Sequence, residues 1–140
     1  MSEGYGQDVW CGDRLRTGRL ARGIEGLGLA AYRRQITPRG MLRGNQESLN
    51  YGIDLSHYVG SLGVDLAVVA LPGIIRAELS KDDRIANVEV VVTSESLPGG
   101  LARIRIVETI TGYDSADSYE LTLGVSTDGV ELIGSRVIST

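Results

Sequence analysis

Residues 71–92, LPGIIRAELSKDDRIANVEVVV, constrain the fold more than any other stretch, because two apolar periods meet there across a charged corner. Pro72 is placed to open a helical turn, and Ile75 and Leu79 then fall four apart on one helix face. From Val88 the period is two, with Val88, Val90 and Val92 on one side and Glu89 and Thr93 on the other. Between the two stands Asp82-Asp83-Arg84-Ile85. An arginine at such a junction has its stem among apolar neighbours and its head beside carboxylates, which suits it to set how a helix meets a sheet. Arg84 is then either a partly buried brace, paired with Glu78, Asp82 or another acid, or a solvated side chain at the end of a turn. Removing the partner of a buried pair costs about 3–5 kcal/mol and removing that of a surface pair less than about 1 kcal/mol, so mutation separates the two.

The rest of the C-terminal half alternates in the same way. Strands are expected at 87–94, 101–111, 119–125 and 130–138. They are joined by a Leu97-Pro98-Gly99-Gly100 turn, a polar loop over 112–117 and a Thr127-Asp128-Gly129 hairpin. In the second strand Ile104, Ile106 and Ile110 share one face and Arg103, Arg105 and Thr109 the other. In the third, Tyr119, Leu121, Leu123 and Val125 alternate with Glu120 and Thr122. Such alternation implies one packed face and one polar face.

Helices are expected before the sheet. The first runs over about 13–34, capped by Asp13 or Thr17, with Leu20, Ile24, Leu27 and Ala31 as its apolar stripe. Gly23, Gly26 and Gly28 each cost it up to ~1 kcal/mol, which close packing would explain, as would ordering on assembly. Thr37-Pro38-Arg39-Gly40 stops that helix, and a polar loop follows to about Asn50. Tyr51-Gly52-Ile53-Asp54-Leu55 then returns the chain toward the core. A second helical region over about 61–79 carries Leu62, Leu66 and Val69 or Ala70 on one stripe, with Pro72 kinking or dividing it. The expected fold is α+β, N-terminal helices packed on a small antiparallel sheet of about four strands. It forms a single domain over residues 1–140, with 1–12 an irregular N-terminal arm anchored by Tyr5 and Trp10.

Composition narrows the class. A chain of 140 residues with 42% hydrophobic and 23% charged residues suits one globular domain, and without phenylalanine its core must be built mainly from Val, Ile, Leu and Ala. No run approaches the roughly 18 consecutive apolar residues of a membrane span, and MSEGYGQDVW has neither the basic start nor the apolar core of a signal peptide. Charge is uneven. Residues 1–45 carry eight arginines against four acids, a net +4, and residues 46–140 six basic residues against 14 acids, a net −8. Such a chain either packs head to tail on an acidic neighbour or neutralises its halves internally. Nucleic-acid binding through the basic segment is a weaker third reading, because its arginines are not interleaved with aromatics and the remainder repels phosphate.

The residues offer little for catalysis. His57 is the only histidine, so no His-rich metal site can form, and Cys11 has no second thiol for a disulfide or thiolate pair. Cys11 and His57 as a nucleophilic pair would rest on two isolated residues. The glycine spacings fit neither a phosphate loop nor a dinucleotide fingerprint. Glu78, Asp82 and Asp83 have the residue type for glycoside hydrolysis, but they flank a core junction rather than a cleft. No enzyme activity and no cofactor are expected.

The order of parts resembles a known family. A glycine-bearing first helix leads to Arg33-Arg34-Gln35-Ile36-Thr37-Pro38-Arg39-Gly40, then Tyr51-Gly52-Ile53-Asp54-Leu55, then Leu79-Ser80-Lys81-Asp82-Asp83-Arg84-Ile85 and a β-rich tail. Over roughly residues 13–138 this resembles the baseplate wedge family of contractile phage tails, related to sheath-initiator subunits of phage, tailocin and type VI secretion baseplates. That family has an acidic-Pro-Arg core motif where this chain has Asp82-Asp83-Arg84, so the arginine is matched and Asp83 stands in place of proline.

The resemblance implies a non-enzymatic structural subunit, present in several copies of a symmetric baseplate in the virion tail and assembled in the host cytoplasm. It would contact other wedge proteins, the tube or hub and, in some systems, the sheath. Glu78, Asp82, Asp83 and Arg84 would form the structural core motif, and Thr37, Pro38, Arg39, Gly40, Tyr51 and Gly52 the loop motifs. Arg14, Arg16, Arg19, Arg22, Arg33 and Arg34 are candidate partner contacts. The alternatives are a tail-associated cell-wall hydrolase and a small nucleic-acid-binding or regulatory module.

Overall fold

Alternation places every second residue of the C-terminal half on one face, and the helices exist to cover it. The computed structural model describes residues 7–9, 20–40, 50–99, 102–113 and 116–139, with the backbone alone for 7–9 and 20–22. In chain order the elements are β1 (Gln7–Val9), β2 (Leu20–Arg22), α1 (Gly23–Ile36), α2 (Leu55–Leu62) and α3 (Val64–Leu79), then β3 (Ile85–Ser96), β4 (Ala102–Gly112), β5 (Ser118–Ser126) and β6 (Gly129–Ile138). The last four strands form one antiparallel meander in the order β3-β4-β5-β6, and β1 pairs with β2 separately. The fold is the α+β arrangement expected, with the helices N-terminal to the sheet.

Register aligns the apolar rows. Val92 lies opposite Ile106, Ile106 opposite Leu123, and Leu123 opposite Leu132; Val88, Ile110 and Tyr119 make a second row. Leu27 and Ala31 of α1, Leu55 and Val59 of α2, and Ala67, Leu71, Ile75 and Leu79 of α3 close over these rows as one core. Gly28 lets α1 lie almost on the sheet. A Cβ there would stand 2.0 Å from the Tyr119 ring, so the glycine that weakens the isolated helix is what permits its packing.

Four sequence expectations need correction. The first helix begins at Gly23 rather than near residue 13, because the chain first pairs Leu20–Arg22 with Gln7–Val9 and Gly23, at φ +58°, redirects it. Leu20 is therefore a strand residue, and part of the expected irregular arm is β1; Tyr5, Trp10, Asp13 and Thr17 lie outside the described residues. The second helical region is divided at Gly63, φ +80°, whereas Pro72 sits within α3 without ending it. Its first part starts earlier than expected, at Leu55, because Asp54 accepts a hydrogen bond from the His57 amide as an N-cap. Finally, Leu66 and Val69 are 61% and 80% exposed, and α3 buries Ala67, Leu71 and Ile75 instead. This helix is apolar on nearly every side, so periodicity alone does not choose its buried face.

Replacing Gly28 by alanine tests the close approach. Helix propensity favours Gly28→Ala by up to ~1 kcal/mol, yet overpacking against Tyr119 should make it a net loss of about 1–3 kcal/mol, read as a lower urea midpoint.

Candidate functional site

Glu78 continues the buried stripe of α3 and carries a carboxylate into the edge of the core, with only 1% of it exposed. Three cations from three segments meet it. Arg39 Nη2 donates to Oε1 at 3.4 Å, Lys81 Nζ lies 2.8 Å from Oε2 without hydrogen-bond alignment, and Arg34 Nη1 stands 4.0 Å from Oε2. A carboxylate this buried is tolerable only with such company.

Each cation is positioned by local structure. Lys81 belongs to the turn after α3, and its ammonium also donates to the Asn50 carbonyl at 3.0 Å. Arg34, in the last turn of α1, lies 4.3 Å above the Tyr51 ring as a cation–π contact. Thr37 Oγ1 donates to the Arg33 carbonyl at 2.8 Å and so ties the chain leaving α1 back to the helix, while Arg39 Nε donates to the Gly52 carbonyl at 3.2 Å. Gly52 is required. Its φ is +102°, and a Cβ would meet the Thr37 carbonyl oxygen at 2.0 Å. Burial, helped by the charges of Asp82 and Glu78, raises the Tyr51 phenol above its usual pKa against the lowering effect of Arg34 and Arg33.

The expected core motif therefore divides. Arg84 pairs with Asp82 two residues away, through Nε at 2.9 Å and Nη2 at 2.6 Å, and its backbone amide donates to the same carboxylate at 3.0 Å. Burial alone would raise the Asp82 pKa, but the Arg84 side-chain and backbone hydrogen bonds, together with the charges of Arg84 and Arg34, outweigh it and hold the carboxyl below the ordinary range. This pair stiffens the turn, and the Arg84 carbonyl accepts from the Tyr113 amide at 3.3 Å, while Arg34, Arg39 and Lys81 gather on Glu78. Asp83 is exposed at that turn. Pro38 and Gly40 are also exposed, next to the Arg39 that reaches inward.

Among the candidate partner contacts, Arg34 is engaged within the chain and its side chain is 16% exposed. The Thr37 bond goes to the backbone of Arg33. Arg14, Arg16, Arg19 and Cys11 lie outside the described residues, as does the side chain of Arg22. His57 is exposed on α2 and bonded to Ser61 Oγ at 3.2 Å. Among the described residues no group of three or more His, Cys, Asp and Glu side chains is placed to hold a metal ion.

A second polar pair escaped the sequence reading. Gln35 and Glu108 are both fully buried, and Gln35 Nε2 donates to Glu108 Oε1 at 2.6 Å. Among the described residues the amide oxygen of Gln35 and Oε2 of Glu108 have no hydrogen-bond partner. Desolvation pushes the Glu108 pKa up to about 8 against the lowering effect of the Gln35 bond. At neutral pH the group is thus largely a neutral acid, able to donate as well as accept. Strand parity already marked Glu108, which shares a face with Ile104, Ile106 and Ile110, and Gln35 extends the Ile24, Leu27, Ala31 stripe by one more step of four. A raised carboxyl pKa suits acid catalysis only where substrate can reach it, and this one is sealed between α1 and β4.

No protein-family model, curated protein or solved structure matches the chain.

Two measurements test these clusters. Glu78→Gln should cost about 1–3 kcal/mol, less than the loss of a wholly buried pair because Arg39 and Lys81 are about half exposed and screened. Arg84→Ala should cost less than Glu78→Gln in the same urea titration. For Glu108 the folded pKa lies above the unfolded one near 4.5, so between about pH 4.5 and 8 the unfolded chain binds fewer protons. Stability should therefore fall as pH rises through that window and level off above it. Glu108→Gln should remove this component, so that the variant gains on the parent from pH 5 to 8 in thermal melts.

Proposed function

We propose that this chain is a structural subunit of the baseplate of a contractile phage tail. In this reading it is a wedge protein joining neighbouring wedge components to the tube or hub and, in some systems, to the first sheath ring. The observation that carries the reading is the convergence at Glu78 of segments that carry the resemblance. Arg34, Thr37 and Arg39, then Tyr51 and Gly52, then Lys81 come from three separate stretches of the chain, yet their contacts form one continuous cluster. A signature of that kind is explained by a shared framework, and it needs no substrate.

The framework suits an assembly part. Its clamp locks α1 and α3 together at one end, while β3 and β6 are the outer strands of the sheet, where a neighbour's strand can add. Val130 and Leu132 of β6 pack on the core, so deleting that strand would damage the fold as well as the edge.

The test is to delete the gene from the phage or device that encodes it and to examine particles by negative-stain electron microscopy. Tubes or baseplates lacking attached sheath are expected, with recovery when the intact chain is supplied in trans. Normal contractile tails in the deletion strain would overturn the reading.

A further inference from the structure

The outward face of α3 is built to be covered. Leu66 and Val69 stand 61% and 80% exposed, with the small residues Gly73 and Ala77 along the same face and the charged Asp65 and Arg76 on its Val69 side. Nothing lies within 4 Å of where a Cβ on Gly73 would be, so one half of the face is a pair of apolar knobs and the other half a shallow notch. With 3.6 residues per turn, Leu66, Gly73 and Ala77 fall along one line and Val69 just beside it. A helix that is apolar on both sides is ordinarily buried on both.

The charges name the occupant. Asp65 and Arg76 are the two exposed charged residues of α3, and neither pairs with another described residue. They are about three turns apart, hence on the same flank of the stripe, one near each end. In an antiparallel helix pair with two-fold symmetry, like flanks face each other and the ends are exchanged. Asp65 of each copy then meets Arg76 of the other, twice over, while the Leu66 and Val69 knobs enter the opposing Gly73–Ala77 notch. A single face carrying knobs, notch and both signs of charge in this order is complementary to itself.

We propose that α3 is the two-fold interface of a homodimer, packed antiparallel on α3 of a second copy with Asp65–Arg76 pairs closing both ends. The inference stands apart from the baseplate reading, since it rests on this face alone. A contact confined to about three helical turns is small, so the dimer forms at micromolar rather than nanomolar concentration.

Sedimentation velocity on the full chain, from about 10 µM to about 1 mM, tests it. The parent should pass from monomer to dimer across that range, and Val69→Glu should hold it monomeric. Asp65→Arg and Arg76→Asp should each weaken dimerisation at least about tenfold, because each places two pairs of like charges together. The double variant Asp65→Arg with Arg76→Asp should restore it, and that recovery distinguishes pairing across the interface from damage to the helix. All three substituted positions are exposed, and circular dichroism should show the parent's helical signal in every variant. A parent that stays monomeric throughout, a Val69→Glu protein that still dimerises, or a double variant that stays monomeric would overturn the proposal.

Discussion

The rest of the structure hangs on a carboxylate carried into the core at Glu78. Burying an ion costs several kcal/mol, and the cost is offset only if opposite charges are held close in fixed geometry. Here the cations come from the end of α1, from the loop after it and from the turn after α3, so satisfying one carboxylate requires three segments to be correctly placed. An apolar side chain at this position would pack in many orientations. Glu78 accepts few, and so it converts a greasy helix end into a specific joint.

The Gln35–Glu108 pair applies the same logic at the α1–β4 contact, but in neutral form. A charged Glu108 facing one amide would be expensive, and raising its pKa to about 8 is how the site lowers that cost. The two polar pairs together key α1 to its neighbours, one against the sheet and one against α3. Between them Gly28 brings the helix down onto Tyr119. The result is a helical layer whose position on the sheet is set by polar contacts while its adhesion comes from apolar area.

Much of the sheet was legible. Val88, Val90 and Val92, the isoleucines of β4 and the alternating Tyr119 to Val125 each announce a buried face, because a period of two has a single interpretation once one face is apolar. The candidate site was legible in its parts but not in its wiring. Thr37, Arg39, Tyr51, Gly52 and Glu78 stood out singly, and Arg84 does pair with Asp82 as one of its two readings had it, but the gathering of cations on Glu78 was not readable. Sequence proximity favoured Asp82–Arg84 and could not show that Arg34 and Arg39 arrive from far away. Gln35 and Glu108 were passed over although each sits in the phase of its neighbours' apolar stripe. A polar residue in an apolar register is the signal that would have found them.

Residue order alone determined the antiparallel meander, the turn at Pro98-Gly99, the hairpin at Asp128-Gly129 and the presence of helices before the sheet. These follow from short-range sterics and side-chain alternation, which are written along the chain. Which face of α3 is buried, where the helical region divides, which cations surround Glu78 and how close α1 comes to Tyr119 were decided only in three dimensions. An apolar helix has no preferred side until the sheet and α1 offer it one, and a buried charge has no partner until distant segments converge on it.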